Sequence, residues 1–255
     1  MTIENHLQQL TATPPDDVGD RVLVAVGLAD EFVEWPSIVG RLFIAFNGLG
    51  VSTVSADADA DRFEAYFQRR HRRPLRPATA VPETIERHLA EALDRGRPGR
   101  LPLDLRGVTP FQSDVLLKAA TIPRGEVRPY GWIARELGNP GAVRAVGSAL
   151  ATNPIPLILP CHRVVRSDGS FGRYSLGSDD NKPRLLAAEG LDVAEYQRMA
   201  RTGTRFVGSE TTRIYCHPTC RAARTIAGSH RVELRSTSEA EDRGFRACKL
   251  CRPAA

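Results

Sequence analysis

The sequence predicts an α/β N-terminal domain, a helical winged-helix-like domain after it, and a small zinc-stabilised α+β module at the end. Three observations lead there. Apolar, β-branched runs joined by a turn signal fill the first third, short helical stretches divided by Gly/Pro breaks fill the middle, and four of five cysteines form two close pairs after residue 215. The boundaries that follow are 1–104, 105–192, a joint over 193–205, and 206–255.

A chain of 255 residues, 42% hydrophobic and 25% charged, has globular composition and length for about two domains. Its first twenty residues lack a basic start followed by an apolar stretch, and no later run approaches the roughly 18 apolar residues of a membrane span. It therefore reads as soluble, cytoplasmic and free of the membrane. The net charge of +5 is unevenly placed: residues 201–255 hold 11 Lys and Arg against 5 Asp and Glu, and the rest hold 24 against 25. Such a tail suits contact with phosphates as well as it suits an arginine-rich solvated face.

In chain order, "DRVLVAVGLA" (20–29) and "GRLFIAFNGLGVSTVSA" (40–56) read as strands, with Asn47-Gly48 as a hairpin signal. "DRFEAYFQRRHRRP" (61–74) and "PETIERHLAEALDRG" (82–96) have helical spacing, the second with Pro82 before its start and Gly96 after its end. "DADAD" (57–61) imitates a calcium loop but has Arg62 where the sharp turn needs glycine, so it is assigned no metal. Helices are then expected over 111–121, 130–137 and 141–151, a set that fits a winged-helix or helix-turn-helix unit and also an ordinary small bundle. The third has a single arginine, Arg144, among small residues that would allow close approach to DNA. "AEYQRMARTGT" (194–204) reads as a polar joint rather than a core element.

The fifth cysteine lies in "PLILPCHRVVRSDG" (156–169). Pro154, Pro156 and Pro160 forbid a regular helix and stiffen the approach to Cys161. A nucleophile needs such fixing, together with a route for losing its proton. In an extended segment neighbouring side chains diverge, so His162 would act through water or a bend, and Glu189 in "LLAAEG" is a candidate to orient it. Taken alone, Cys161-His162 also suits a buried structural thiol or a Cys-His hydrolase.

"CHPTC" and "CKLC", with 27 residues between them, can surround a tetrahedral Zn2+ with Cys216, Cys220, Cys248 and Cys251. Four thiolates close the shell, so His217 and His230 are assigned to the surface. Most such sites only fold their module.

"NPIPLILPCHRVV", with "PFQ", "IPRGEVRPYGWIARELGNP", "RAVG" and "LLAAEG" in that order, resembles the O6-alkylguanine-DNA alkyltransferases, closely over residues 105–192 and in outline over 1–104. The resemblance implies a single-turnover methyltransferase acting on alkylated double-stranded DNA, and the chain is separately expected to be a monomer. Cys161 would take the alkyl group from guanine O6, and also from O4-alkylthymine, and keep it as a thioether. His162 would accept the thiol proton through water, with Glu189 orienting the ring. Asn153 would be the hinge between recognition helix and active-site loop, Arg144 would fill the space of the flipped base, and Tyr130 would crowd the 3′ phosphate and protonate the leaving oxygen. Tyr174 and Ser175 would line the base pocket. Leu116 stands where the family commonly has Trp, a packing position.

"TTRIYCHPTCRAA" and "RGFRACKLCRP" resemble the metal-binding module of the Ada-type repair proteins over about 206–253. That implies one zinc on the four cysteines and a second methyl acceptor, Cys216, acting on backbone methylphosphotriesters. Arg213, His217 and Ala247 replace the usual Gly, Arg and Pro. The alternative is a module that only binds DNA, and no transcriptional role is expected.

Overall fold

A computed structural model describes residues 18–253, so the reading of the first twenty residues falls almost wholly outside the described residues. The first expected strand is instead a surface helix, α1 (Val18–Ala25), and the sheet starts later, at Asp30. A short apolar run carries no period that separates helix from strand. Here its C-terminal carbonyls are used by neighbours, since the Gly48 amide donates to Val24 O at 2.9 Å.

The sheet runs β3-β2-β1-β4, from β1 (Asp30–Ser37), β2 (Gly40–Asn47), β3 (Gly50–Ser55) and β4 (Leu75–Pro77). β2 is antiparallel to β1 and β3, while β4 joins β1 in parallel. The Asn47-Gly48 signal holds: Asn47 faces Gly50 across the turn, and its Oδ1 accepts the Leu49 amide at 2.8 Å. As one of the two inner strands, β2 is apolar on both faces. Phe43 and Ala45 meet Phe63 and Phe67 of α2 (Ala60–His71), and Leu42, Ile44 and Phe46 join the main core with Ile85 and Leu89 of α3 (Glu83–Arg95). Asp59 of "DADAD" caps α2, accepting the Arg62 amide at 2.9 Å.

The middle helices are α4 (Pro110–Ala119), α5 (Tyr130–Glu136) and α6 (Val143–Ala151), packed on one another. Thr109 and Gln112 form a reciprocal capping box at the start of α4, and Leu116 is fully buried, a packing residue as expected. Between α6 and Cys161 the chain is irregular. Pro154 O accepts the Val54 amide at 2.8 Å, tying this loop to β3, and buried Leu157 takes φ +72°, a left-handed conformation that costs a non-glycine residue about 1–2 kcal/mol. Residues Cys161–Arg163 form one 3-10 turn rather than the extended segment expected, because the Arg163 amide reaches back to Pro160 O at 3.0 Å.

That turn leads into β6 (Val164–Val165), parallel to β5 (Arg128–Pro129), and then α7 (Asn181–Ala188). The expected joint over 194–204 is mostly helix: α8 (Val193–Arg201) is capped by Asp192 and buries Tyr196 and Met199. Its charged face disguises two apolar anchors. The last part is a four-stranded sheet, β10-β8-β7-β9, made of β7 (Phe206–Ser209), β8 (Ile214–Cys216), β9 (Arg231–Leu234) and β10 (Arg246–Ala247), with α9 (Arg221–Arg224) and α10 (Thr237–Asp242). Among the described residues no helix is long and apolar enough to cross a membrane.

Candidate functional site

Cys161 lies at the floor of a cavity of about 610 Å3 whose walls include Tyr130, Arg144, Arg166, Tyr174 and Ser175. The prolines place it there by preventing helix beyond α6, and Asn153 fixes the loop's return. Asn153 Nδ2 donates to Leu159 O at 2.7 Å, its Oδ1 accepts the Ile155 amide at 3.0 Å, and the Cys161 amide donates to the same Leu159 oxygen at 2.8 Å. Burial pushes the Cys161 thiol up, against a hydrogen bond from Asn153 and the positive charge of Lys182. It needs a base.

His162 does not pair with Cys161. Its Nε2 meets Glu189 Oε1 at 2.9 Å, and its buried Nδ1 has no hydrogen-bond partner among the described residues. Burial holds the imidazole below its usual range, opposed by the hydrogen bond to Glu189, so the ring is neutral at neutral pH and can accept a proton. Although burial pushes Glu189 up, the hydrogen bonds and charges of His162 and Arg163 outweigh it and bring its carboxyl down to about 2.

Arg163, which sequence reasoning missed, is 1% exposed and anchors this carboxylate. Its Nη2 donates to Glu189 Oε1 at 2.6 Å and its Nε to Oε2 at 3.0 Å. The remaining donors reach Arg95 O at 3.0 Å, Gly96 O at 3.0 Å and Ile122 O at 2.8 Å. Gly96, at φ +58°, is required here, since a Cβ would fall 2.2 Å from Arg163 Nη2. Lys182 was also missed: it is buried, its Nζ donates to Val164 O and Phe171 O at 2.6 Å each, and burial lowers it to about 8. Arg163 carries one sequence signal, a basic residue ahead of the apolar Val164-Val165, whereas Lys182 stands in the polar stretch "DDNKPR", which reads as surface.

The other expected residues line the cavity at different depths. Arg144, near the start of α6, and Ser175 are exposed at its mouth. Tyr130, the first residue of α5, and Tyr174 are deeper, with burial raising both phenols above their usual value. The Tyr174 hydroxyl has no partner among the described residues, leaving it free to bond a ligand, and its ring stands edge-on to His162 at 6.3 Å.

The second cluster is apart from Cys161. Cys216 ends β8, Cys220 caps α9, and Cys248 and Cys251 follow β10, all four buried with every sulfur within 4.8 Å of the others. Four soft, converging sulfurs suit one tetrahedral Zn2+. The His217 amide donates to Cys251 Sγ at 3.4 Å, a hydrogen bond that suits a thiolate. Cys216 and Cys248, but not Cys220 or Cys251, line a cavity of about 520 Å3 with Thr211, Thr212, Arg246 and Lys249. His217 is not a surface residue as expected: it is buried, its ring 5.6 Å from that of Phe206. His230 is exposed. Arg213 takes φ +53°, the left-handed region where the family's glycine would be unstrained, with its guanidinium 5.4 Å from the Phe245 ring.

Comparison with known proteins divides the chain in the same way. Residues 110–191 match the family model of the 6-O-methylguanine DNA methyltransferase DNA-binding domain, and residues 194–254 match the metal-binding domain of Ada. The bifunctional transcriptional activator/DNA repair enzyme Ada of Escherichia coli is 36% identical over 173 residues, covering 67% of this chain and 47% of that protein. The methylated-DNA–protein-cysteine methyltransferase of Rattus norvegicus is 43% identical over 100 residues, 39% of this chain and 46% of its own. The chain thus spans about half the length of the curated relatives it matches. The crystal structure of Mycobacterium tuberculosis OGT in complex with DNA superposes with a TM-score of 0.50 at 31% identity, covering 65% of this chain and 98% of the other.

Proposed function

This chain belongs to the methylated-DNA–protein-cysteine methyltransferase family and carries an Ada-type metal-binding domain, and on that premise we propose that it repairs alkylated double-stranded DNA by moving the alkyl group of O6-alkylguanine, and of O4-alkylthymine, onto Cys161. The observation that carries this reading is a cavity-floor thiol beside a neutral, buried histidine whose outer nitrogen is paired to Glu189 and whose inner nitrogen is free. A water between His162 Nδ1 and Cys161 would relay the thiol proton to the ring. The sulfur then attacks the alkyl carbon, an S–C bond forms, the O6–C bond breaks with its electrons going to guanine, and the Tyr130 phenol protonates the leaving oxygen.

The base must leave the stack to reach a floor this deep, and a damaged pair resists extrusion less. Arg144 at the mouth would occupy the vacated space, Tyr130 would press on the adjacent phosphate, and Tyr174 and Ser175 would hold the base edge. Asn153 keeps the cysteine loop in register with α6. A thioether is no leaving group, so each molecule acts once. The reading retains a monomeric, cytoplasmic protein, with a winged-helix-like domain over 105–192.

Peptide-resolved mass spectrometry after exposure to O6-methylguanine duplex tests this: one added CH2 is expected on the Cys161 peptide. Repair that persisted in Cys161→Ala would overturn it.

Cys216 is proposed as a second acceptor, for methylphosphotriesters, because it lines an open cavity with Arg246 and Lys249. A bound zinc keeps the four sulfurs deprotonated at neutral pH. Cys216 Sγ would attack the methyl carbon, and the phosphodiester would depart as an anion held by the two basic side chains. The same spectrum decides this point: an unmodified Cys216 after reaction with methylphosphotriester DNA reduces the module to DNA binding.

A further inference from the structure

The four-cysteine module is docked against the segment that leads into the Cys161 site. Thr219 Oγ1 accepts the Val127 amide at 2.9 Å and donates to Val127 O at 3.3 Å. The Arg221 amide donates to Glu126 Oε1 at 3.0 Å, and the other oxygen of that buried carboxylate pairs with Arg128. Arg224 donates to Gly125 O. Farther along, Trp132 Nε1 donates to Cys251 O at 2.9 Å, and Arg252 pairs with Glu136. Each contact comes from a residue within four positions of a metal-ligating cysteine.

The clamped segment touches the reactive site at both ends. The Gly125 amide donates to Glu189 Oε2 at 3.1 Å, and residues 128–129 continue directly into Tyr130. Gly125 has φ +71°, and a Cβ there would lie 2.6 Å from Glu189 O, so no slack separates the two backbones. A shift of residues 125–127 must move Glu189 or break its bond.

We propose that the metal-binding module positions the Cys161 site, with Thr219 and Arg224 as positioning residues that hold residues 125–127 and through them Glu189, His162 and Tyr130. The proposal rests on Cys161 being the alkyl acceptor. Residues 219–224 hang from Cys220, which caps α9 and accepts the amides of Ala223 and Arg224 at 2.8 and 3.2 Å. The order of the four sulfurs is thus passed by hydrogen bonds to a carboxylate in the other module. Glu126 and Arg128 add a reason for tight docking, since a buried ion pair is tolerable only when its remaining donors and acceptors are satisfied, and the Arg221 amide supplies one.

The test uses full-length, zinc-loaded protein and the free base O6-benzylguanine, which reports on Cys161 without needing the DNA surface. Arg224→Ala and Thr219→Val are expected to slow benzyl transfer by about 3- to 30-fold, the span typical of changes along a coupling network. Arg224→Lys should restore at least half of the rate, and zinc content should stay at the wild-type ratio. Side-chain NMR supplies the second readout: the His162 ring signal should move in Arg224→Ala and after zinc is stripped, while that of His88 stays put. Unchanged transfer and an unmoved His162 signal in both variants overturn the clamp. If the wild type forms no Cys161 adduct with O6-methylguanine duplex either, the acceptor reading fails instead, and the His162 signal alone decides whether the modules are coupled.

Discussion

His162 Nε2 lies 2.9 Å from Glu189 Oε1, so the histidine spends its outer nitrogen on a carboxylate and keeps its inner one for the cysteine side. The carboxylate is in turn gripped by Arg163. The relay is therefore a fixed, charged unit beneath a neutral ring.

Replacing Glu189 by Gln keeps the shape and removes the charge that stabilises a protonated His162. Transfer to Cys161 should slow by about 100-fold, at the low end of what general-base assistance supplies. The stability effect has a defined pH window. A carboxyl lowered from 4.5 to about 2 stabilises the fold by on the order of 3 kcal/mol, fully present above pH 4.5 and withdrawn as pH falls toward 2. Urea unfolding of wild type and Glu189→Gln should show their gap closing between those values; a gap independent of pH would refute the assignment.

Gly96→Ala places a methyl group against Arg163 Nη2 in a left-handed backbone. A loss of about 2–4 kcal/mol is expected from the combined strain and displaced ion pair, measured by urea unfolding. Because Arg163 and Glu189 move together, the variant should also transfer more slowly. Wild-type stability would mean that this guanidinium has room to retreat.

Arg144 is exposed and far less constrained. Arg144→Ala should leave stability unchanged within about 0.5 kcal/mol and should not alter reaction with free O6-benzylguanine. Repair of duplex DNA should drop by about 10-fold, the value of one lost stacking partner. Equal losses on both substrates would place Arg144 in the chemistry rather than in base extrusion.

Trp132 reports on the cysteine cluster through its bond to Cys251 O. In a Trp35→Phe protein, chelation of zinc should shift the emission of Trp132 to the red as its indole becomes wet. The four-cysteine module should become protease-sensitive at the same chelator concentration. A fluorescence change without metal loss would separate the two events.

Cys161-His162 is legible in the residues themselves, as a contiguous word behind three prolines, whereas Asn153 and Tyr130 are singled out only by the family resemblance. The cysteine pairs were readable by spacing. Arg163 and Lys182 were not, since the value of a buried cation is set by carbonyls from residues 95, 96 and 122 or 164 and 171, which only the fold assembles. His217 was misplaced for a related reason: its burial comes from packing beside Phe206 and from the docked surface. α1 is a helix where the sequence suggests a strand because short apolar runs suit both periods, and β1, with three acids among its first five residues, offers no clear alternation to read.

Arg163 also orders events during synthesis. Its five donors need partners at residues 95, 96, 122 and 189, so the knot closes only after the chain has grown past Glu189. Contacts of such separation carry a larger loop-closure cost than local ones. A nascent or half-folded chain has Cys161 but no assembled Arg163–Glu189–His162 unit, so under the proposed reaction the thiol is armed only after residues 95–96 have closed against residues 122 and 189.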